Sequence, residues 1–124
     1  MLFHQPDPEK YISSINYDLQ VISNLIVQTK NKNSLFIIIG DHQPPVISSS
    51  ENGFETPVHI ISSDSSFIRN IEKYGFTEGF WIQNTSKSIK HESIYSLLLR
   101  EIVRKYGIDT TRLPEYLTNG ITSN

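Results

Sequence analysis

An acidic residue and a histidine stand side by side directly after an apolar segment of this chain. Asp41 and His42 follow Gly40 and the run Leu35–Ile39, which is apolar throughout and rich in β-branched residues. A carboxylate oxygen beside an imidazole nitrogen suits a divalent ion of the zinc or manganese kind better than calcium, which prefers oxygen ligands. The pair therefore predicts part of a metal site, although Asp and Gly are also common at strand ends because they form turns.

The neighbouring residues predict how this pair is held. An apolar run of this kind is typical of the central strands of a parallel sheet, which are covered on both faces, and ligands bind beyond the carboxyl ends of such strands. Pro44 and Pro45 follow shortly after the pair. Because proline fixes its own φ and restricts the preceding residue, we expect Asp41 and His42 to lie on a segment with little conformational freedom.

The segment before the strand has the pattern of an amphipathic helix. Asp7 is a typical N-cap residue, Pro8 is tolerated in the first turn, and the helix should end near Lys30. Its apolar residues recur at steps of three and four, so we expect one stripe of the helix to be buried. This stripe comprises Ile12, Ile15, Leu19, Ile22 and Ile26.

One further strand and two further helices are predicted after the first strand. The second strand covers about residues 58–62, a short helix runs from Asp64 to Gly75, and the last helix ends at Gly107. The charged residue pairs on these helices are interpreted as lying on their solvent-exposed faces. They are Glu72-Lys73 and Arg100-Glu101.

Composition limits the class of protein. The 124 residues carry a formal net charge of −2 without a dense Lys/Arg patch, which argues against nucleic acid as the main partner. There is no cysteine, so disulfides and thiolate metal sites are excluded, and no apolar run is long enough to span a bilayer. The elements predict an α/β fold, a partial open sheet flanked by helices, over residues 1–107, followed by a polar C-terminal tail over residues 108–124.

Three segments of the chain resemble one enzyme superfamily. They are Gly40–Pro45, which reads GDHQPP, Tyr11–Tyr17 before it and Thr56–Ile61 after it. Together they resemble the C-terminal part of sulfatase-like hydrolases of the alkaline phosphatase superfamily, in the GDHQPP subgroup. The resemblance implies that Asp41 and His42 bind a catalytic divalent metal, zinc or manganese. Most of these sulfatases have Asp-His-Gly at this point, so Gln43 leaves the substrate open between phosphate and sulfate esters.

The resemblance also implies what the chain does and what it needs. It would be the C-terminal portion of an alkaline-phosphatase-like fold and of a metal-dependent hydrolase of anionic esters. The nucleophile and an acidic metal ligand of that superfamily lie well upstream of the strand, and only one helix precedes it here. We therefore expect the isolated chain to be inactive, and to pair with a missing N-terminal half or with itself through a sheet edge. Relatives are commonly membrane-anchored with the hydrolase domain outside the cytoplasm.

Two other interpretations stay open. In one, the chain is a catalytically silent domain, from a truncated or split gene, that acts only through association. In the other, it is a small α/β metal-binding module unrelated to hydrolysis, which would need further ligands such as His59 or His4.

Three residues are candidates for substrate binding. Gln43 adjoins the metal pair and could donate a hydrogen bond to the substrate or to a metal ligand. His4 opens a His-Gln-Pro triplet, at which relatives often place an imidazole that contacts the anionic substrate, whereas side chains so close to a chain start are usually mobile. His59 lies in the second strand, either as a hydrogen-bonded core residue or within reach of the metal or substrate.

Overall fold

The computed structural model describes most of the chain, in two compact units that divide between Ser63 and Asp64. The described residues are 7–29, 32–44, 48–49, 51, 53–81 and 87–121. Within them, the first unit contains one helix and a two-stranded sheet, and the second contains helices. The fold is therefore a mixture of helices and strands, which agrees with the predicted α/β class.

Helix α1 spans Pro8–Thr29, and its predicted start is confirmed by the cap that precedes it. Oδ1 of Asp7 accepts a 3.0 Å hydrogen bond from the backbone N–H of Glu9, which satisfies one of the free amides of the first turn. The expected burial of one stripe is wrong, since no residue of α1 is buried and Ile12 remains 55% exposed. A sheet of only two strands offers too little apolar surface to cover a helix of this length.

The sheet consists of strands β1, Leu35–Ile39, and β2, Val58–Ser62. Both strands were predicted, but they pair antiparallel, with Ile39 opposite Val58 at the loop end, and not in the expected parallel arrangement. Two consecutive strands joined by a loop can pair directly in this way, whereas a parallel pair needs a crossover connection. Ile39 is 45% exposed, so β1 is not covered on both faces as its composition predicted.

The second unit is built around three helical segments that confirm the predicted elements. They are α2, Ser65–Ile71, a 3-10 turn, Glu72–Tyr74, and α3, His91–Tyr106. Gly75 ends the 3-10 turn with φ +98°, a left-handed conformation that glycine adopts without strain. Side chains from α2 and α3 form its apolar core. The buried apolar residues are Phe67, Ile71, Ile94 and Leu97.

Glu101 of α3 is fully buried, so its interpretation as part of a solvated face is wrong. Its carboxylate accepts hydrogen bonds from the Tyr74 hydroxyl at 2.6 Å and from Asn70 Nδ2 at 3.2 Å, and Lys73 Nζ lies 2.8 Å away. Burial, the largest influence, acts to raise the pKa of Glu101, but hydrogen bonds from Lys73 and Tyr74 hold it below its ordinary value. This buried carboxylate joins α3 to the end of α2 and the 3-10 turn.

The residues assigned to a polar tail include a segment that lies along α3. The backbone N–H of Leu117 donates a 2.9 Å hydrogen bond to the Ser96 hydroxyl, and Arg100 Nη1 donates one of 2.7 Å to the carbonyl of Pro114. The ring of Tyr116 meets that of Tyr74 edge to face, with centroids 5.1 Å apart. Side chains of α3 thus satisfy the backbone of a segment that has no regular secondary structure of its own.

Candidate metal centre

The backbone immediately before Asp41 is fixed by the last contacts between the two strands. The N–H of Gly40 donates a 3.0 Å hydrogen bond to the carbonyl of Pro57. Pro57 has no N–H to return that bond, and the hydroxyl of Thr56 takes its place by donating to the carbonyl of Gly40 at 2.7 Å. Both polar groups of Gly40 are therefore satisfied, and the chain leaves the sheet at a defined point.

Asp41 and His42 lie beyond this point, on the surface of the loop between β1 and β2. Their side chains are 89% and 69% exposed. Oδ1 of Asp41 accepts a 2.9 Å hydrogen bond from the backbone N–H of His42, and Oδ2 lies 3.6 Å from His42 Nε2. The first contact orients the carboxylate, and it leaves Oδ2 beside the imidazole in a position open to solvent.

The neighbouring backbone fixes which nitrogen of His42 carries its hydrogen. Nδ1 lies 3.0 Å from the backbone carbonyl of Gln43. Because a carbonyl oxygen only accepts hydrogen bonds, Nδ1–H is the donor, and in the neutral imidazole Nε2 then has a free lone pair. Metal-binding histidines usually donate their second ring N–H to a carbonyl or a carboxylate in this manner.

The spacing of the two free atoms fits ligands of a shared ion. Two ligand atoms that each lie ~2.1 Å from a tetrahedral zinc are about 3.4 Å apart, and Asp41 Oδ2 and His42 Nε2 are 3.6 Å apart. Among the described residues, however, no group of three or more His, Cys, Asp or Glu side chains is placed to hold an ion. Two side chains are fewer than the three or four protein ligands of a typical zinc site.

The other predicted site residues lie at different distances from this pair along the fold. Gln43 is the next residue, and its carboxamide points into the loop, where it donates to the carbonyl of Glu55 and accepts from the Ser48 hydroxyl at 3.2 Å. His59 is half-buried in β2 opposite Ile38, one pair further from the loop than Ile39 and Val58. His4 lies outside the described residues.

Two residues that hold the loop were not singled out from the sequence. Thr56 completes the end of the strand pair, and Ser48 bonds the carboxamide of Gln43. A threonine directly before a proline at the start of a strand is the only local signal for the first of these roles. The second depends on the path of the loop, which leaves no pattern in the sequence.

Comparison of the chain with models of protein families, with curated proteins and with solved structures gives no match. Within the described part of the chain, none of the helices has the length and apolar character needed to cross a membrane.

Proposed function

We propose that the chain is the C-terminal part of a sulfatase-like, metal-dependent hydrolase of phosphate or sulfate esters, to which Asp41 and His42 contribute two metal ligands. One observation carries the proposal: Asp41 Oδ2 and the free Nε2 of His42 lie 3.6 Å apart at the end of an apolar strand, with Nδ1 of the same imidazole bound to a backbone carbonyl. The GDHQPP string and the α-then-β order of the first unit are in keeping with this family.

Within this proposal, each residue has a distinct task. Asp41 and His42 hold a zinc or manganese ion, and the Gln43 carbonyl keeps His42 in the tautomer that can bind it. A divalent ion held there by Asp41 and His42 would supply the charge that polarises ester oxygens and lowers the cost of deprotonating a hydroxyl nucleophile. The remaining ligands and the nucleophile come from a further segment, so we propose that the 124 residues alone do not turn over an ester.

A second candidate function is association without catalysis. It is favoured by the exposure of apolar side chains on α1 and β1 of the first unit, among them Leu25 of α1 at 51% and Ile37 of β1 at 38%. Exposed apolar strands and helices mark surfaces that pair with another chain or another segment. In this case the loop pair would be only a surface feature of an interaction domain.

Metal titration separates the two candidates. Zinc chloride and manganese chloride would be titrated calorimetrically into the full chain, into Asp41→Ala/His42→Ala, and into the matched control Asp18→Ala/His91→Ala, which removes the same two residue types from exposed positions on α1 and α3. We expect weak binding to the wild type and the control, and at least a tenfold loss in the loop variant. Equal affinities in all three proteins would contradict the assignment.

A further inference from the structure

Gln43 makes hydrogen bonds through both its side chain and its backbone, and those with described residues stay within the loop between β1 and β2. Its Nε2 donates to the carbonyl of Glu55, twelve residues away, and its Oε1 accepts a 3.2 Å hydrogen bond from the Ser48 hydroxyl. Its side chain is less exposed than those of Asp41 and His42. The carboxamide therefore connects the start of the loop with its middle and its end.

The backbone of the same residue orients His42. The carbonyl of Gln43 accepts the hydrogen bond from His42 Nδ1 at 3.0 Å. Any movement of residue 43 would therefore move the acceptor that fixes the imidazole tautomer. The side-chain hydrogen bonds of Gln43 hold the whole residue in place. They therefore also fix the Gln43 carbonyl, which accepts the hydrogen bond from His42.

An exposed ligand pair needs such support more than a buried one does. The side chains of Asp41 and His42 are largely exposed, so the described part of the chain restricts them little. Ordering flexible side chains and loops on binding reduces affinity. The hydrogen bond from Gln43 to the Glu55 carbonyl joins these two residues before any ion binds, so this contact does not have to form on binding.

We infer that Gln43 is a positioning residue of the metal centre, which closes the loop with its carboxamide and holds the His42 imidazole with its carbonyl. The metal part of this inference rests on the proposed function. The closure of the loop and the His42 tautomer are properties of the metal-free chain and are tested without a metal.

The test compares Gln43→Ala and Gln43→Glu with Gln28→Ala, which removes a glutamine from an exposed position on α1. Gln43→Glu keeps the acceptor for Ser48 but places a carboxylate against the carbonyl of Glu55, so it breaks one specific contact. The ring-nitrogen chemical shifts of His42 report the tautomer. Limited proteolysis reports the closure of the loop, and zinc chloride titration reports the affinity.

For both Gln43 variants we expect a mixture of His42 tautomers, faster cleavage within the loop and about a tenfold weaker affinity for zinc. Gln28→Ala should match the wild type in all three measurements, and unchanged amide spectra of α1 and the two strands would show that the first unit of each variant is folded. A wild-type tautomer and cleavage rate in both Gln43 variants would overturn the inference. If the wild type binds no zinc but the tautomer and cleavage rate change, the loop role stands and the proposed function fails.

Discussion

The hydroxyl of Tyr106, in the last turn of α3, donates a 2.7 Å hydrogen bond to Oδ2 of Asp64, the residue that caps α2. The other carboxylate oxygen, Oδ1, accepts from the N–H groups of Ser66 and Phe67. Hydrogen bonds from the Ser66 hydroxyl first, and from Tyr106 second, hold the pKa of Asp64 well below its ordinary range. One carboxylate thus serves the start of one helix and the end of another.

Replacing Tyr106 with Phe removes this hydrogen bond and keeps the ring, whose centroid lies 5.8 Å from that of Phe67. We expect the melting temperature to fall by a few degrees at neutral pH. Because the folded pKa of Asp64 is lowered, its ionised form stabilises the protein above the ordinary aspartate pKa, and this is lost as the pH falls through the folded value. The difference between wild type and variant should therefore shrink in acid.

Thermal unfolding followed by circular dichroism at several pH values measures this effect. Tyr17→Phe, at a 67% exposed position on α1, is the control for removing a tyrosine hydroxyl. A Tyr106→Phe curve that coincides with the control at every pH would contradict the prediction.

Tyr74 should make the protein sensitive to alkali. Burial, followed by the hydrogen bond to Glu101 and the charge of that carboxylate, raises the pKa of Tyr74 from 10.0 to about 12. A raised folded pKa means that the stabilisation is complete below the ordinary value of 10.0 and is lost as the pH rises to about 12. We expect the free energy of unfolding to fall across this window in the wild type and to fall less in Tyr74→Phe.

Urea denaturation across the same pH range measures the slope. Tyr95→Phe changes a tyrosine that is 66% exposed on α3 and should retain the wild-type slope. If Tyr74→Phe loses as much stability as the wild type over this range, Tyr74 does not carry the effect.

A side chain at Gly120 should destabilise the protein, because this residue lies against α3 in a left-handed conformation. Its φ is +74°, and a Cβ built on it would lie 2.5 Å from Cβ of Glu92. Gly53 has a similar φ of +68°, but apart from its chain neighbours none of the described residues has an atom within 4 Å of such a Cβ. Gly120→Ala should therefore cost about 1–3 kcal/mol from strain and displacement, and Gly53→Ala should cost less. Equal changes in the urea midpoint for the two variants would show that the close approach to Glu92 adds nothing to the cost.

The open side of β1 should allow the chain to associate. Because Gly40 donates a hydrogen bond to Pro57, hydrogen-bonded and non-hydrogen-bonded residue pairs alternate along the two strands from that point. The backbone N–H and C=O groups of Leu35, Ile37 and Ile39 therefore point away from β2. A lysine on an exposed strand discourages further pairing. We expect Ile37→Lys to lower the apparent mass in size-exclusion chromatography with light scattering.

Leu99→Lys is a matched control, since Leu99 is 37% exposed and Ile37 is 38% exposed. It lies on α3 and should leave the association unchanged. A wild type that is monomeric at all concentrations, with a cooperative melt independent of concentration, would contradict the role of the strand.

Local signals in the sequence account for the elements that were predicted well. Asp7, Asp64 and Gly75 are cap residues whose effect depends only on a few adjacent amides and carbonyls, and each takes the predicted position. The burial of Glu101 could not be predicted in this way. Its partners Asn70 and Tyr74 are 31 and 27 residues away in the sequence, and they meet it only through the packing of α2 against α3.

The same distinction applies to the candidate site. The adjacency of Asp41 and His42, and their place after an apolar strand, can be read directly from the chain. The tautomer of His42 and the contacts of Gln43 depend on the path of a loop that returns to the strand pair only at Thr56. The exposure of Ile39 depends on how many strands and helices pack around β1, and the composition of one strand does not determine that number.

The missing N–H of Pro57 gives the hairpin a fixed end. The ladder lacks one backbone hydrogen bond at Gly40, where the hydroxyl of Thr56 takes the place of the missing N–H. A slip of one residue would turn every side chain of β2, including His59, to the opposite face. Insertions or deletions between Pro44 and Glu55 should therefore change the length of the loop tip without altering the number of residues from the sheet to His42. Variants that differ in loop length would differ only after Pro44, and Asp41 and His42 would keep their position beside the sheet.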